Sequence, residues 1–411
     1  MRYGLIGEKL GHSFSKEIHE ELQPYSYDLI PLNEEEFHTF MRNKDFTGIN
    51  VTIPYKQAVI PYLDEIDENA KKIHAVNCIV NHHGTLKGYN TDYQGLQYMI
   101  MKHKIECAHK KVAILGSGGT SHTAYHVMKD MGASHIFTVS RSEKEDHLTY
   151  EELYRIADQI DIIVNTTPCG MYPNNHTTAV SLEPFTSLTT VIDVVFNPLQ
   201  TTLMQEALEK GIRAIGGLEM LVAQAVYASE YFHDTIYNKD RIEDIYQQLV
   251  QEKRNIALIG MPTSGKSTIA KMLGECLGRE VYDIDTLIEE RTQMSIPEIF
   301  EKYGEDYFRE IEVQVTEKYS KKSHCIISCG GGVIKKKENL HALHYNSTIL
   351  FIDRPLELLQ TDHYRPLSND LSKLQTLYQE RYATYCQWAD VHIMNTTTLK
   401  EVVENIKEAV Q

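Results

Sequence analysis

Positive charge is in short supply in this chain. Lys and Arg number 41 against 57 Asp and Glu, a formal net charge of −16 at pH 7. The deficit lies mostly in the first part, with 21 basic against 34 acidic residues up to Glu252 and 20 against 23 after it. Polyanions are bound by neutralising phosphates with Lys and Arg, so the balance argues against a nucleic-acid binder and against docking on an anionic membrane. Acidic side chains scattered over a soluble surface account for it. Long apolar runs are missing as well: no window approaches the ~18 uninterrupted apolar residues of a membrane span. The N-terminus MRYGLIGEKLGHS meets charge at Glu8 and Lys9 and lacks the apolar core of a signal peptide. A soluble, cytoplasmic protein is expected. Cysteine offers no framework, since the seven are an odd number without a C-x-x-C pair, and Cys325 and Cys329 have no His partner at zinc spacing. Low-complexity segments and repeats of 20 to 50 residues are absent too.

What is present is ordinary globular composition, 42% hydrophobic and 24% charged, over 411 residues, which is too long for one typical domain. Short apolar runs alternate with helix-like stretches almost throughout, the pattern of βα units around parallel sheets. Strands are expected at Tyr3–Ile6, Gly48–Thr52, Val112–Leu115, Ile136–Val139, Ile162–Asn165, Val191–Val195, Ile256–Ile259, Val281–Ile284, Ile326–Ser328 and Thr348–Ile352. Towards residue 250, Ile242, Ile245, Tyr246, Leu249 and Val250 form a helical apolar stripe, leaving Lys253 to Asn255 as a linker before the next strand. Two strands run into glycine-rich turns followed by helical patterns, GSGGTSHTA from Gly116 and GMPTSGKST from Gly260. Each heads a nucleotide-binding unit.

By itself Gly116-x-Gly118-x-x-Ser121 is a weak dinucleotide fingerprint, with Gly119 inside it and Ser in the third position. Its context strengthens it. The next strand ends in Ser140, Arg141 and Ser142, where an NAD-binding unit would place an acidic residue for the ribose hydroxyls; a cation and two hydroxyls suit a 2′-phosphate instead, hence NADP. Ahead lie three polar clusters, GHSFS (Gly11–Ser15), GINVTIPYK (Gly48–Lys56) and AVNCIV…KGYNTD (Ala75–Asp92). Their Ser, Thr and Asn residues could each cap a helix or satisfy a turn. Lys56 differs: Pro54 stiffens the approach to it, and an ammonium beside a carboxylate makes a proton-transfer pair.

GLIGEKLGHSFSKEIH, GINVTIPYK, AVNCIV, GYNTD, ILGSGG, VSR, VNTTPCGM, DVVFNP and GLEMLVAQA, in this order and spacing, resemble shikimate dehydrogenase over residues 1 to about 252. By position, the resemblance implies that Ser13, Ser15, Asn50, Thr52, Asn77, Asp92 and Gln224 hold the substrate's carboxylate and hydroxyls, that Lys56 and Asp92 are the catalytic pair, and that Gly217 joins the cofactor side. Reduction of a ketone develops negative charge on its oxygen, which Lys56 would stabilise and protonate while Asp92 keeps it charged and aimed. Three positions depart from the family: Phe196 where Tyr is common, Tyr93 where Gly is common, and Ser140 where Asn is usual before the Arg. Phe196 removes one hydrogen bond to substrate.

The second loop, Gly260-Met-Pro-Thr263-Ser264-Gly265-Lys266-Ser267, satisfies G-x-x-x-x-G-K-[ST] directly after a strand and opens a helix at Thr268. Backbone N–H groups and the helix N-terminus cradle phosphates there, Lys266 neutralises the transferring group, and Ser267 can ligate Mg²⁺. Asp283 and Asp285 end the next strand, where a carboxylate reaches magnesium or an acceptor hydroxyl. GKST, DID, SIPEIF, GEDYFREIE, SCGGGV and RPL in this order resemble shikimate kinase over roughly 253 to 411. The resemblance implies that Asp285, Arg309, Gly331, Gly332 and Arg381 bind shikimate, with Asp285 on the attacking hydroxyl, and that Arg365 sits on a lid over the phosphates. That lid, RPLELLQTDHY between Asp353 and Arg365, is shorter than the usual one.

The expected architecture is α/β: a substrate-binding lobe over 1–100 completed by helices over 218–252, a Rossmann-like NADP lobe over 101–217, and a P-loop kinase domain with a parallel sheet over 253–411. The expected activity is bifunctional, reduction of 3-dehydroshikimate with NADPH and phosphorylation of the resulting shikimate with ATP and Mg²⁺. Two alternatives stand beside it: a second half that only senses nucleotide, and a first half acting on quinate or shikimate with NAD. Monomer and homodimer are both open.

Overall fold

The computed structural model describes residues 2–11, 14–23, 25–143, 145–359 and 371–410. The chain forms two compact units, Met1–Gln248 and Leu249–Gln411.

In the first unit, six strands make one sheet in the order β2-β1-β3-β5-β6-β4: β1 Tyr3–Gly7, β2 Tyr27–Pro31, β3 Gly48–Val51, β4 Glu65–Ile66, β5 Cys78–His82 and β6 Thr85–Tyr89. Side chains alternate between its two faces as the pleat requires, Ile6, Ile49 and Ile79 to one buried cluster and Tyr3, Leu5, Cys78 and Val80 to the other. Not all of it is parallel. β5 pairs antiparallel with both β3 and β6, which departs from the run of βα units expected from the sequence. His83 and Gly84 join β5 to β6 in two residues, both at positive φ, 53° and 97°; such a turn suits a hairpin, and Gly and His tolerate it.

The second sheet has the order β11-β10-β9-β7-β8, all parallel: β7 Lys111–Leu115, β8 His135–Val139, β9 Ile162–Asn165, β10 Thr190–Asp193 and β11 Arg213–Gly216. Val112, Ile114, Ile162 and Val164 face one core, and Ala113, Leu115 and Ile163 the other, so helices cover both faces and the strands read as continuous apolar runs. Strand order reverses at β7, which places the first glycine loop at a switch point where open α/β sheets bind ligands.

The second unit repeats that logic with the order β13-β14-β12-β15-β16: β12 Asn255–Ile259, β13 Glu280–Asp283, β14 Cys325–Ser328, β15 Ser347–Asp353 and β16 Val391–Met394. Every pairing is parallel. Ile284, expected in the strand, instead starts the helix Ile284–Thr292, because Asp283 caps it by accepting from Thr286 N–H at 3.3 Å. The expected linker also shrinks: the helix Asp240–Lys253 runs to within one residue of β12. Among the described residues, no helix is long and apolar enough to cross a membrane.

Candidate active sites

In the first unit, seven expected side chains, Ser15, Asn50, Thr52, Lys56, Asn77, Asp92 and Gln224, line one cavity of about 210 Å³. They come from the start of the helix Ser15–Leu22, from β3 and the turn after it, from the segment before β5, and from the helices Thr91–Lys102 and Leu218–His233. Ser13 lies outside the described residues. Thr120, Phe196 and Gly217 close the cavity from the side of the second sheet.

The Lys56 ammonium and the Asp92 carboxylate are in direct contact, with side chains 17% and 13% exposed. At that burial the pair is shielded from bulk solvent yet reachable from the cavity. Asp92 sits in the first turn of its helix because Asn90 caps that helix, accepting from Tyr93 N–H at 3.0 Å. Asn90 is therefore a capping residue. The Lys56 stem lies 3.8 Å from where a Cβ on Gly119 would stand, so the catalytic candidate borders the glycine loop.

Sequence reading missed Thr91. Its N–H donates to Asn77 Oδ1 at 2.7 Å and its hydroxyl to Gln224 Oε1 at 3.4 Å, linking two cavity side chains 147 positions apart in the chain. The DVVFNP motif also finds a structural reason. Asp193 accepts from Asn165 Nδ2 (2.9 Å), Val195 N–H (3.1 Å) and Thr201 Oγ1 (2.6 Å), and burial pushes its carboxyl up to about 6. This knot anchors the loop that brings Phe196 to the cavity, where its ring packs edge-on to Phe14 at 5.3 Å.

On the glycine-loop side, Gly116 has φ 111° and a Cβ there would meet Thr166 Oγ1 at 2.8 Å. Ser121 Oγ donates to Gly116 O at 2.8 Å, which is how Ser serves in the third position of the fingerprint. Gly118 precedes the helix Gly119–Asp130 as its cap. Gly116 N–H donates to Val139 O, so Ser140, exposed Arg141 and Ser142 emerge beside the loop. Ser142 N–H donates to Ser140 Oγ at 3.3 Å. Gly217 has no alternative: a Cβ would stand 2.1 Å from Val194 O.

In the second unit, Gly260, Thr263 and Gly265 all adopt positive φ, 145°, 62° and 92°. Gly265 caps the helix Lys266–Leu277, whose first turn carries Ser267 and Thr268. Lys266 is 5% exposed and donates to Gly260 O and Met261 O at 3.0 and 2.8 Å, so the loop wraps its own ammonium. Ser264 is buried and its carbonyl accepts from Asn395 Nδ2 at 2.7 Å. Asp283 Oδ2 accepts from Ser267 Oγ at 2.6 Å and Ser328 Oγ at 2.9 Å. That all-oxygen set, beside a phosphate loop, fits Mg²⁺, which takes one or two protein oxygens and completes its shell from phosphates and water.

Arg309 and Arg381 are both buried. Arg309 donates from Nε and Nη2 to Glu305 Oε1 (3.1 and 2.9 Å) and from Nη1 to Glu312 Oε2 (2.8 Å). Arg381 donates from Nη1 to Gly331 O at 2.7 Å, and its Nε and Nη2 have no hydrogen-bond partner among the described residues. The run Gly330–Gly332 explains itself sterically. A Cβ would meet Asp285 Oδ1 at 2.5 Å from Gly330, Pro262 Cδ at 2.7 Å from Gly331 and the Arg309 guanidinium at 2.1 Å from Gly332. Asp285, Arg309, Gly331, Gly332 and Arg381 are thus brought together, next to the phosphate loop. Burial pushes the Glu312 carboxyl up to about 7, against the pull of Arg309. Arg365 and residues 360–370 of the expected lid lie outside the described residues.

A family model described as shikimate dehydrogenase substrate binding domain matches residues 5–79, and one described as shikimate kinase matches residues 262–411. A shikimate dehydrogenase (NADP(+)) of Clostridium perfringens is 36% identical over 265 residues, covering 60% of this chain and 97% of its own length. Among solved structures, a chorismate mutase/shikimate 5-dehydrogenase fusion protein from Clostridium acetobutylicum is 35% identical, with a TM-score of 0.57 over 60% of this chain and 96% of that one. A quinate dehydrogenase from Corynebacterium glutamicum in complex with NAD is 26% identical, with a TM-score of 0.53 over 60% of this chain and 99% of that one.

Proposed function

The chain belongs to the shikimate dehydrogenase family and carries a shikimate kinase domain at its C-terminal end, and on that footing we propose that it performs two consecutive reactions, NADPH-dependent reduction of 3-dehydroshikimate and ATP-dependent phosphorylation of shikimate to shikimate 3-phosphate. In this reading residues 1–100 with 218–252 form the substrate lobe, 101–217 the NADP lobe and 253–411 the kinase. A cytoplasmic setting belongs to the proposal, supported by seven free cysteines.

NADPH, when bound, supplies the hydride. Ser15, Asn50, Thr52, Asn77 and Gln224 hold the substrate's carboxylate and hydroxyls, and Lys56 stands at the carbonyl. As charge develops on that oxygen the ammonium stabilises it and delivers a proton, while Asp92 holds the side chain in its charged form. The single observation that carries this half is the Lys56–Asp92 contact inside the cavity lined by those five side chains. Ser140, Arg141 and Ser142 at the glycine loop favour a 2′-phosphate, hence NADP over NAD.

ATP, when bound, supplies the phosphoryl group, and Mg²⁺ held by Ser267 with Asp283 would balance its charge. Arg381, with two buried and unsatisfied donor nitrogens, is matched to the shikimate carboxylate together with Arg309; leaving such a guanidinium unpaired is costly, and a planar carboxylate satisfies it. Asp285 then orients the attacking hydroxyl, and Lys266 neutralises the group in transit. Phosphoryl transfer needs little beyond such positioning and neutralisation.

The test supplies 3-dehydroshikimate, NADPH, ATP and Mg²⁺ to the purified chain and follows NADPH oxidation and shikimate 3-phosphate together. Both are expected. NADPH oxidation without phosphorylated product would reduce the second unit to a nucleotide-sensing module, and faster turnover of quinate with NAD would reassign the first.

A further inference from the structure

Behind the dehydrogenase cavity lies a layer of aromatic and polar side chains that the chemistry above does not use. Tyr27, on β2, is fully buried, and its hydroxyl donates to Asn50 Oδ1 at 2.7 Å. The Asn50 amide donates from Nδ2 to Asn77 O at 3.2 Å. That carbonyl already accepts Val51 N–H at 2.9 Å, so the Tyr27 hydroxyl provides the shorter and less shared of the two bonds. Together they admit one orientation of the amide: the oxygen turned back into the protein, and the NH₂ on the side that can offer its second hydrogen to an oxygen in the cavity.

Tyr27 is itself held. The His19 ring stacks on it, centroids 4.1 Å apart and planes within 6°, and is completely buried. His19 Nδ1 bonds to Tyr25 Oη at 2.5 Å, while Nε2 makes no hydrogen bond among the described residues. Burial keeps the imidazole neutral, its pKa pushed down to about 3 even though the nearby Asn50 amide favours protonation. His19 follows Ser15 by four positions on one helix, hence on the same face. One helical turn thus gives the cavity a hydroxyl and stacks a ring on the tyrosine that bonds its Asn.

We propose that Tyr27, clamped by His19, is a positioning residue for the reduction, fixing the Asn50 amide so that it presents N–H rather than C=O to a substrate oxygen. The proposal rests on the dehydrogenase reading of the cavity. In Tyr27→Phe the ring stays and Asn50 Oδ1 loses its donor, leaving only the longer bond to the shared Asn77 carbonyl to hold the amide, so its N–H is presented less firmly to the substrate's oxygen.

The test uses the full chain and the variants Tyr27→Phe, Asn50→Ala and the double substitution. For Tyr27→Phe the KM for 3-dehydroshikimate should rise about 5- to 10-fold, with kcat within about 2-fold and the KM for NADPH unchanged. In the Asn50→Ala background the same change should have no further effect on that KM. A purely structural role would instead lower kcat and thermal stability in either background. Independently of activity, exchange of the Asn50 side-chain amide protons in the ligand-free chain, followed by NMR, should be at least about 10-fold faster in Tyr27→Phe. An unchanged KM, additive effects in the double variant, or unchanged exchange would each overturn the proposal. If the wild-type chain does not reduce 3-dehydroshikimate, the functional reading fails, and the exchange rates alone decide whether Tyr27 holds Asn50.

Discussion

Tyr93 Oη donates a 2.8 Å hydrogen bond to Asp130 Oδ2, so the residue that follows Asp92 is tied to the last residue of the helix leaving the first glycine loop. A glycine at position 93 could make no such tie. Tyr93→Phe keeps the buried ring and removes only this bond. The expected loss is about 1 kcal/mol, or roughly 2–4 °C in the melting temperature of a unit this size, read by calorimetry.

Lys56→Ala should lower kcat for 3-dehydroshikimate reduction by about 10²–10⁴-fold while its KM changes far less. Steady-state kinetics in both directions would check this. A change confined to KM would make Lys56 a binding group.

Arg381→Lys keeps a charge but loses the planar fork. Tyr385 still donates to Gly331 O in this variant, so the glycine run keeps a partner. The KM for shikimate should rise by about 10- to 100-fold with the KM for ATP unaffected, since a hydrogen bond to a charged group is worth about 1.5–3 kcal/mol.

Arg141→Ala should reduce kcat/KM for NADPH by about 10-fold or more and leave NADH nearly unaffected, because only the former carries a phosphate for the guanidinium. Equal losses with the two cofactors would remove Arg141 from that role.

Glu312 predicts a pH dependence whose sign follows from its burial. Its carboxyl titrates near 7 in the folded unit against about 4.5 when unfolded, so the folded state holds a proton that the unfolded state has lost. Stability from this group is greatest below pH ~4.5 and falls as pH rises towards 7, by about 3 kcal/mol in all at 1.36 kcal/mol per pKa unit. Glu312→Gln should flatten that part of the profile. Melting of the second unit between pH 4.5 and 7.5, compared between wild type and variant, measures the difference.

Six residues of the first cavity stood out in the sequence as members of short polar clusters, while Gln224, inside the largely apolar helix Leu218–His233, was marked only by the resemblance, which also supplied the roles of the others. Tyr27 did not stand out, since YDLIP carries a charge and reads poorly as a strand until parallel pairing with β1 stabilises it. β5 and β6 were hidden for a related reason: HHG is an unusual hairpin turn, and only the positive φ of His83 reveals it. In the second unit the glycine run stood out, but that it is wedged against Pro262, Asp285 and Arg309 is a fact of packing that no spacing encodes. Asp193 belongs to the DVVFNP motif, and its part as the knot beneath Phe196 depends on Asn165 and Thr201, which lie on other elements.

The one-residue join at Arg254 governs how this gene can be divided. A fragment beginning at residue 262 would lack β12, the middle strand of its five-stranded sheet, and Gly260 with it. Starting at Asn255 would restore the strand but strip Arg279 of the Gln251 and Arg254 carbonyls that its guanidinium holds at 3.0 and 2.9 Å. A kinase expressed alone therefore has to keep the last turn of the helix Asp240–Lys253, which belongs to the second unit.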